Sequence, residues 1–204
     1  MGLGDNTGKF TYLNIKKGKI SYKKDGVPQE SDYIEGFITG VKVEEKEFEG
    51  KKYDEASFTI VDKDDKYLLQ MKLDSGYCRA FCNAFKSGNP LLKTKITPTY
   101  EEKNTKKISG CFVEQNGTSL KWFYSKANDN LDQVPKLKEV MVGKTKHYDG
   151  SEILAFWKKW LLSLTFKDEM EASSHSMSTQ DNGLNTKSTE PSFDPNEDSS
   201  DLPF

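Results

Sequence analysis

Five short stretches of the chain set aromatic rings beside lysines: Lys9-Phe10-Thr11-Tyr12, Lys19-Ile20-Ser21-Tyr22-Lys23-Lys24, Lys51-Lys52-Tyr53, Lys66-Tyr67 and Lys121-Trp122-Phe123-Tyr124-Ser125-Lys126. A ring offers a flat face on which a nucleobase stacks, worth about 1–3 kcal/mol per base, and a lysine neutralises a phosphate and releases its counterion. The chemistry this combination suits is the holding of a single-stranded polynucleotide, whose bases and backbone are both open to contact. The candidate contacts are Tyr12, Tyr22, Lys52, Tyr53, Lys72, Tyr100, Lys121, Trp122 and Tyr124. Neighbours in a strand face opposite sides, so Lys121 with Phe123, or Trp122 with Tyr124, would share a face. Which rings stack on bases and which cap the core stays open at this level.

Bond-making chemistry finds little support. Gly143-Lys144-Thr145 imitates the end of a phosphate-binding loop, but Lys138 stands where the leading glycine belongs, so a basic turn is expected. Asp62, Asp64 and Asp65 could hold a metal as a nuclease would, yet acids clustered in a tight turn are commonly turn chemistry. Cys78 and Cys82 sit four apart on an expected helix, with Cys111 distant and only His147 and His175 to complete a zinc site. Three cysteines make no disulfide framework and read as buried thiols. The expectation is a binding protein, neither an enzyme nor a holder of a metal or cofactor.

Charge is segregated along the chain. Residues 1–167 hold 29 Lys and Arg against 23 Asp and Glu, a net of +6, whereas residues 168–204 hold one Lys against nine acids, a net of −8. The overall −2 therefore conceals a basic body that a polyanion could bind and an acidic segment that would compete with it. That segment is rich in Ser, Thr, Asn and Asp and almost free of aliphatic residues before Leu202, so it is expected to remain disordered. The other 165 or so residues suffice for one domain. No run of about 18 apolar residues would span a membrane, and the start of the sequence lacks signal-peptide features, so a cytoplasmic protein is expected.

The acidic segment closes on Asp194-Pro-Asn-Glu-Asp-Ser-Ser-Asp-Leu-Pro-Phe204, acids followed by a short apolar tip. This resembles the acidic, Pro-Phe-ended tail of bacterial single-stranded-DNA-binding proteins, whose phage counterparts likewise end in acids and a Phe. The resemblance covers roughly the last eleven residues. It implies a domain that coats unwound DNA with little sequence preference during replication, recombination or repair. It further implies a tip, carried here by Asp198, Asp201, Leu202, Pro203 and Phe204, that recruits replication or recombination proteins. A bacterial cytoplasm follows from it, or the host cytoplasm for a phage protein. The tip is less densely acidic than the bacterial pattern and the body carries an extra helix, which leaves oligomeric state open, a homo-oligomer included.

The elements that must position these residues are read mostly from alternation with period two. Strands are expected over residues 33–44, 53–61 and 66–74, then a helix over 77–86 capped by Ser75 and ended at Gly88-Asn89-Pro90, then strands over 92–101 and 108–124. The last of these folds back at Gln115-Asn116-Gly117. Three strands, a helix and two strands is the order of an OB-fold, so the expected class is mainly β: a five-stranded OB-fold barrel over residues 1–127, bent at Gly36 and Gly40. A plain α+β sheet with one helix fits the same string. An N-terminal hairpin turning at Lys16-Lys17-Gly18 is expected outside the five strands. Residues 128–167 read as a loop and a helix capped by Ser151, whose stripe of Ile153, Trp157, Trp160, Leu161 and Leu164 packs on the core or on a second copy. Residues 168–204 form the disordered tail. Two other classes stay in view, a protein-binding adaptor on an OB-like barrel and a metal-dependent nuclease.

Overall fold

Alternation and tight turns build most of the molecule. A computed structural model of the chain describes residues 10–104, 106–143 and 145–166, with the side chain of Val142 left aside. The expected tail, with Asp198, Asp201, Leu202, Pro203 and Phe204, lies outside these residues. Strands β1 (Thr11–Lys16) and β2 (Lys19–Lys24) meet at Lys17 and Gly18, whose φ values of 48° and 75° are those of a two-residue hairpin turn. Asp25 and Gly26 repeat the device and add β3 (Val27–Ser31), an edge strand that tolerates Pro28 because one side of it needs no donor. Three long strands follow: β4 (Ile34–Phe48), β5 (Lys51–Asp62) and β6 (Asp65–Lys72).

Helix α1 (Gly76–Phe85) then begins where expected, with the Cys78 N–H donating to Ser75 Oγ at 3.1 Å. Strands β7 (Thr94–Lys103) and β8 (Lys106–Gln115) are joined by Asn116-Gly117 to a stub, β9 (Thr118–Ser119). A separate ribbon of β10 (Lys138–Val142) and β11 (Thr145–Asp149) precedes α2 (Ser151–Leu162). No helix among the described residues is long and apolar enough to cross a membrane.

The nine strands β1 to β9 form one sheet in the order β3-β2-β1-β6-β5-β4-β7-β8-β9. Its buried face carries Leu13, Ile20, Ile38, Phe58, Ile60, Leu69, Ile96 and Val113, and both helices close over it. Phe81 of α1 meets Phe58 edge to face with ring centres 4.9 Å apart, and Trp157 and Leu161 of α2 are fully buried in the same cluster. The α2 stripe is therefore core at Ile153, Trp157 and Leu161, and half-buried at Trp160 and Leu164.

The mainly β class holds, but the closed five-stranded barrel is corrected. Strands β4 to β8 lie in the order β6-β5-β4-β7-β8, and β6 and β8 do not pair with each other. The backbone groups on the outer edge of β6 are taken by β1, in parallel, with Thr11 against Tyr67 and Asn14 against Gln70. Once that edge is paired it cannot also close on β8, so the sheet stays open. The N-terminal hairpin is thus not an elaboration outside the sheet but three strands of it with β3. Its turn is seated: the Gly18 N–H donates to the Tyr77 hydroxyl at 3.0 Å, and a Cβ at Gly18 would stand 2.9 Å from the Tyr100 backbone nitrogen.

Gly40 lies at the one register shift of the β4–β5 ladder, whereas Gly36 serves a close approach, since a Cβ there would meet Ile60 at 2.6 Å. The ribbon expected over residues 108–124 ends early. Beyond Ser119 the chain leaves the ladder and is held by amide side chains: buried Asn83 takes the Tyr124 N–H at 2.8 Å and donates to the Tyr124 carbonyl at 3.0 Å. The expected loop before α2 contains the β10–β11 ribbon, and the capping role given to Ser151 belongs elsewhere. Gly150 is the N-cap residue, and Asp149 accepts from the Ser151 N–H at 2.9 Å and the Ser151 hydroxyl at 3.1 Å.

Candidate nucleic-acid interface

Because Leu13, Phe58 and Leu69 point into the core, their neighbours in sequence point the other way. The ladders line these outward residues into rows across β1, β6, β5 and β4: Tyr12 with Leu68, Thr59 and Gly40; Asn14 with Gln70, Ser57 and Lys42. Further along come Lys72 with Glu55 and Glu44, then Tyr53 with Lys46. Both helices pack on the opposite face, so this one carries no helix among the described residues. It carries mainly small and polar side chains, with tyrosines toward two corners and Val61 and Phe37 buried as a separate pair at one end.

The expected contact residues divide on this frame. Tyr12 is 58% exposed on the outward face. Tyr22 has the opposite parity in β2 and is half-buried against the core, so the two rings do not share a face. Tyr53 is half-buried, and the Lys72 ammonium sits 4.4 Å from its ring centre, so a cation of the chain itself covers one side of the ring. Lys52 is tied to Glu45 at 2.7 Å, a hydrogen bond that holds the lysine above its ordinary pKa. Tyr100 is half-buried, its hydroxyl donating to Glu102 at 3.3 Å.

Lys121 and Trp122 lie beyond β9, Lys121 exposed and Trp122 packed against the core. Tyr124 is corrected: it is only 5% exposed, with its ring set edge to face against Phe123, Phe156 and Trp157. A ring so enclosed has no face for a base. Its neighbour Lys86 was not singled out from sequence, yet its ammonium lies 5.1–5.5 Å from the ring centres of Phe123, Tyr124 and Trp160. Burial lowers the Lys86 pKa, and the contact joins α1 to α2. Only the i, i+4 crowding of rings around residues 122–124 and 156–160 hinted at it.

Charge is sorted as sharply as the rings. Residues 34–74, which make β4, β5 and β6, hold seven lysines and eleven acids, a net of −4. Across these strands Lys42 and Lys46 both pair with Glu44, at 2.7 and 3.5 Å, and Lys72 lies on the Tyr53 ring. Lys42 and Lys46 hold the Glu44 carboxyl below its ordinary range. Residues 10–33 hold five lysines and three acids, a net of +2, and Lys16, Lys17, Lys23 and Lys24 make no ion pair among the described residues. Above β1 to β3 lies an open depression of about 910 Å³, lined by Phe10, Tyr12, Asn14, Ser21 and Lys23 among others.

The residues weighed for bond-making chemistry are placed as follows. Cys78, Cys82 and Cys111 are buried and free, the first two sulfurs 4.0 Å apart, and burial pushes the thiols of Cys82 and Cys111 up, away from the reactive thiolate. Asp62 pairs with Lys93 at 3.0 Å, and among the described residues no three His, Cys, Asp or Glu gather as a metal site. Gly143, with φ 63°, stands at the turn between β10 and β11, and His147 is exposed on β11. The outward face thus presents a ring, an amide and, among the described residues, cations without an ion pair. No protein-family model, no curated protein and no solved structure matches this chain, so its function is argued from its own residues.

Proposed function

We propose that the chain binds single-stranded DNA, with little sequence preference, on the uncovered face of its sheet, and that it does so as a binding protein rather than an enzyme. The observation that carries this reading is the exposed Tyr12 ring in one depression with Lys23, on a face that among the described residues no helix covers and where Lys23 makes no ion pair. A duplex hides its bases, so a ring standing on a sheet is useful only against an unpaired strand. The unit β4 to β8, with α1 between its third and fourth strands and β4 paired to both β5 and β7, has the connectivity of an OB-type barrel that the N-terminal hairpin leaves open. That connectivity supports the same class of ligand.

The acids and the Leu202-Pro203-Phe204 segment supply the second half of the proposal, a site for replication or recombination proteins with basic, apolar pockets. A cytoplasmic setting in a bacterium or a phage-infected host fits both halves, as does a homo-oligomer. The test is a fluorescence titration of the full chain with poly-dT. Quenching that saturates, and that weakens as salt rises, is the expected result. Absence of any affinity at low salt would favour a protein-binding adaptor instead. For the second half, the full chain and its Phe204→Ala variant are compared in a pull-down from host extract. Loss of bound replication proteins in the variant is expected, and equal retention removes the recruiting role.

A further inference from the structure

The uncovered face is not uniform, and its best-equipped part is not where the long strands run. Phe10, Tyr12, Asn14, Ser21, Lys23 and Pro28 share the outward parity of the N-terminal strands and line the 910 Å³ depression above them. Asn14 pairs with Ser21 at the end of the β1–β2 ladder, and beyond it Tyr12 of β1 and Lys23 of β2, with the same parity, line one depression. An exposed ring and an exposed, unpaired ammonium therefore stand one strand apart, with an amide and a hydroxyl in the next row. Lys24 stands at the end of β2, Asp25 lies at the turn beside it, and one acid against two lysines leaves the depression positive. A second depression is smaller, about 390 Å³, has no ring, and balances Lys126 and Lys136 with Asp129 and Asp132.

We infer that the depression over β1, β2 and β3 is the subsite that anchors the strand, stacking a base on Tyr12 and Phe10 while Lys23 and Lys24 hold the adjoining phosphates. This rests on the reading of the sheet face as a single-strand site, and places its centre at the N-terminal strands. The central strands then guide the rest of the oligonucleotide across Gln70 and Thr59 with weaker phosphate contact, because Lys42 and Lys46 already face Glu44. Asn14 and Ser21 reach base edges at this station.

The experiment measures binding of a labelled oligo-dT of about 20 nucleotides to the full chain by fluorescence anisotropy, between about 50 and 200 mM salt. Lys23→Ala with Lys24→Ala removes two phosphate contacts, so the slope of log affinity against log salt should flatten by about 1.4. Tyr12→Ala should weaken binding by about 5- to 150-fold with the slope unchanged, because stacking releases no counterion. Lys42→Ala with Lys46→Ala should alter the slope by less than the N-terminal pair does. If the wild-type chain binds and the Lys23/Lys24 variant keeps its slope, or the Lys42/Lys46 variant flattens it equally, the anchoring role is overturned. If the wild-type chain does not bind at all, the underlying reading falls and this inference with it. Thermal melts accompany each variant, and should Tyr12→Ala unfold the sheet, the lysine pair, exposed on its surface, still decides the matter.

Discussion

Tyr22-Lys23-Lys24 and Lys51-Lys52-Tyr53 carry the same residue types in nearly mirrored order, yet the sheet makes different things of them. In the N-terminal strands Lys19 pairs with Asp32, but Lys23 and Lys24 meet no acid among the described residues, and Tyr12 stands open. In the central strands Lys52 is paired with Glu45, and Lys72 lies on Tyr53. Composition along the chain proposes where cations and rings are, but the cross-strand partner decides whether a cation is left to bind anything. The body's excess of six positive charges is therefore carried outside its three longest consecutive strands, with a net of +2 over residues 10–33 and +8 over residues 75–167.

The largest effect that would sharpen this contrast separates two tyrosines. Tyr124→Ala opens a cavity among Phe123, Phe156 and Trp157 and should cost about 3–5 kcal/mol in urea denaturation. Tyr12→Ala, at an exposed position, should fall within about 0.5 kcal/mol of wild type. Equal losses would break the division into core and surface rings.

Next comes the seating of the hairpin. Gly18→Ala adds a Cβ at φ 75°, against the Tyr100 backbone at 2.9 Å, and should cost about 1–3 kcal/mol while loosening hydrogen-exchange protection in β1 and β2. Protection unchanged in those strands would show that the turn contact does not hold them. A smaller effect distinguishes the two outward tyrosines in DNA binding. Tyr53→Ala should weaken it by less than about 1 kcal/mol, below the 1–3 kcal/mol of a freely stacking ring, since Lys72 already occupies one of its faces. A larger loss than Tyr12→Ala would return the centre of the site to β5 and β6. Least of all, Lys52→Ala should leave the denaturation midpoint where it is, because its partner Glu45 is equally exposed.

Local chemistry was legible where one residue decides. Ser75 caps α1 as its type and place suggest, Asn116-Gly117 turns the chain, and the apolar stripe of α2 buries Ile153, Trp157 and Leu161. What stayed hidden depends on partners far along the chain. Nothing in residues 11–14 announces a parallel pairing with β6, so the open sheet could not be told from a closed barrel. Proline in Val27–Ser31 speaks against a strand unless the strand is known to be an edge. The stretch 120–124 alternates like a strand, but the side chain of Asn83, some 40 residues earlier, takes the Tyr124 N–H and carbonyl instead. For the same reason the sequence could not tell Tyr12 from Tyr124: Tyr12 is left exposed, whereas α2 closes over Tyr124.

The central claim is tested most directly by competition. The full chain is bound to a labelled single-stranded oligonucleotide and challenged with the same unlabelled sequence as a single strand and as a duplex, at low and at physiological salt. A preference for the single strand of at least tenfold that persists at both salts, with affinity itself falling as salt rises, is the predicted result. Equal competition by the duplex would reduce the interaction to charge alone and contradict the account of an open sheet face on which unpaired bases stack.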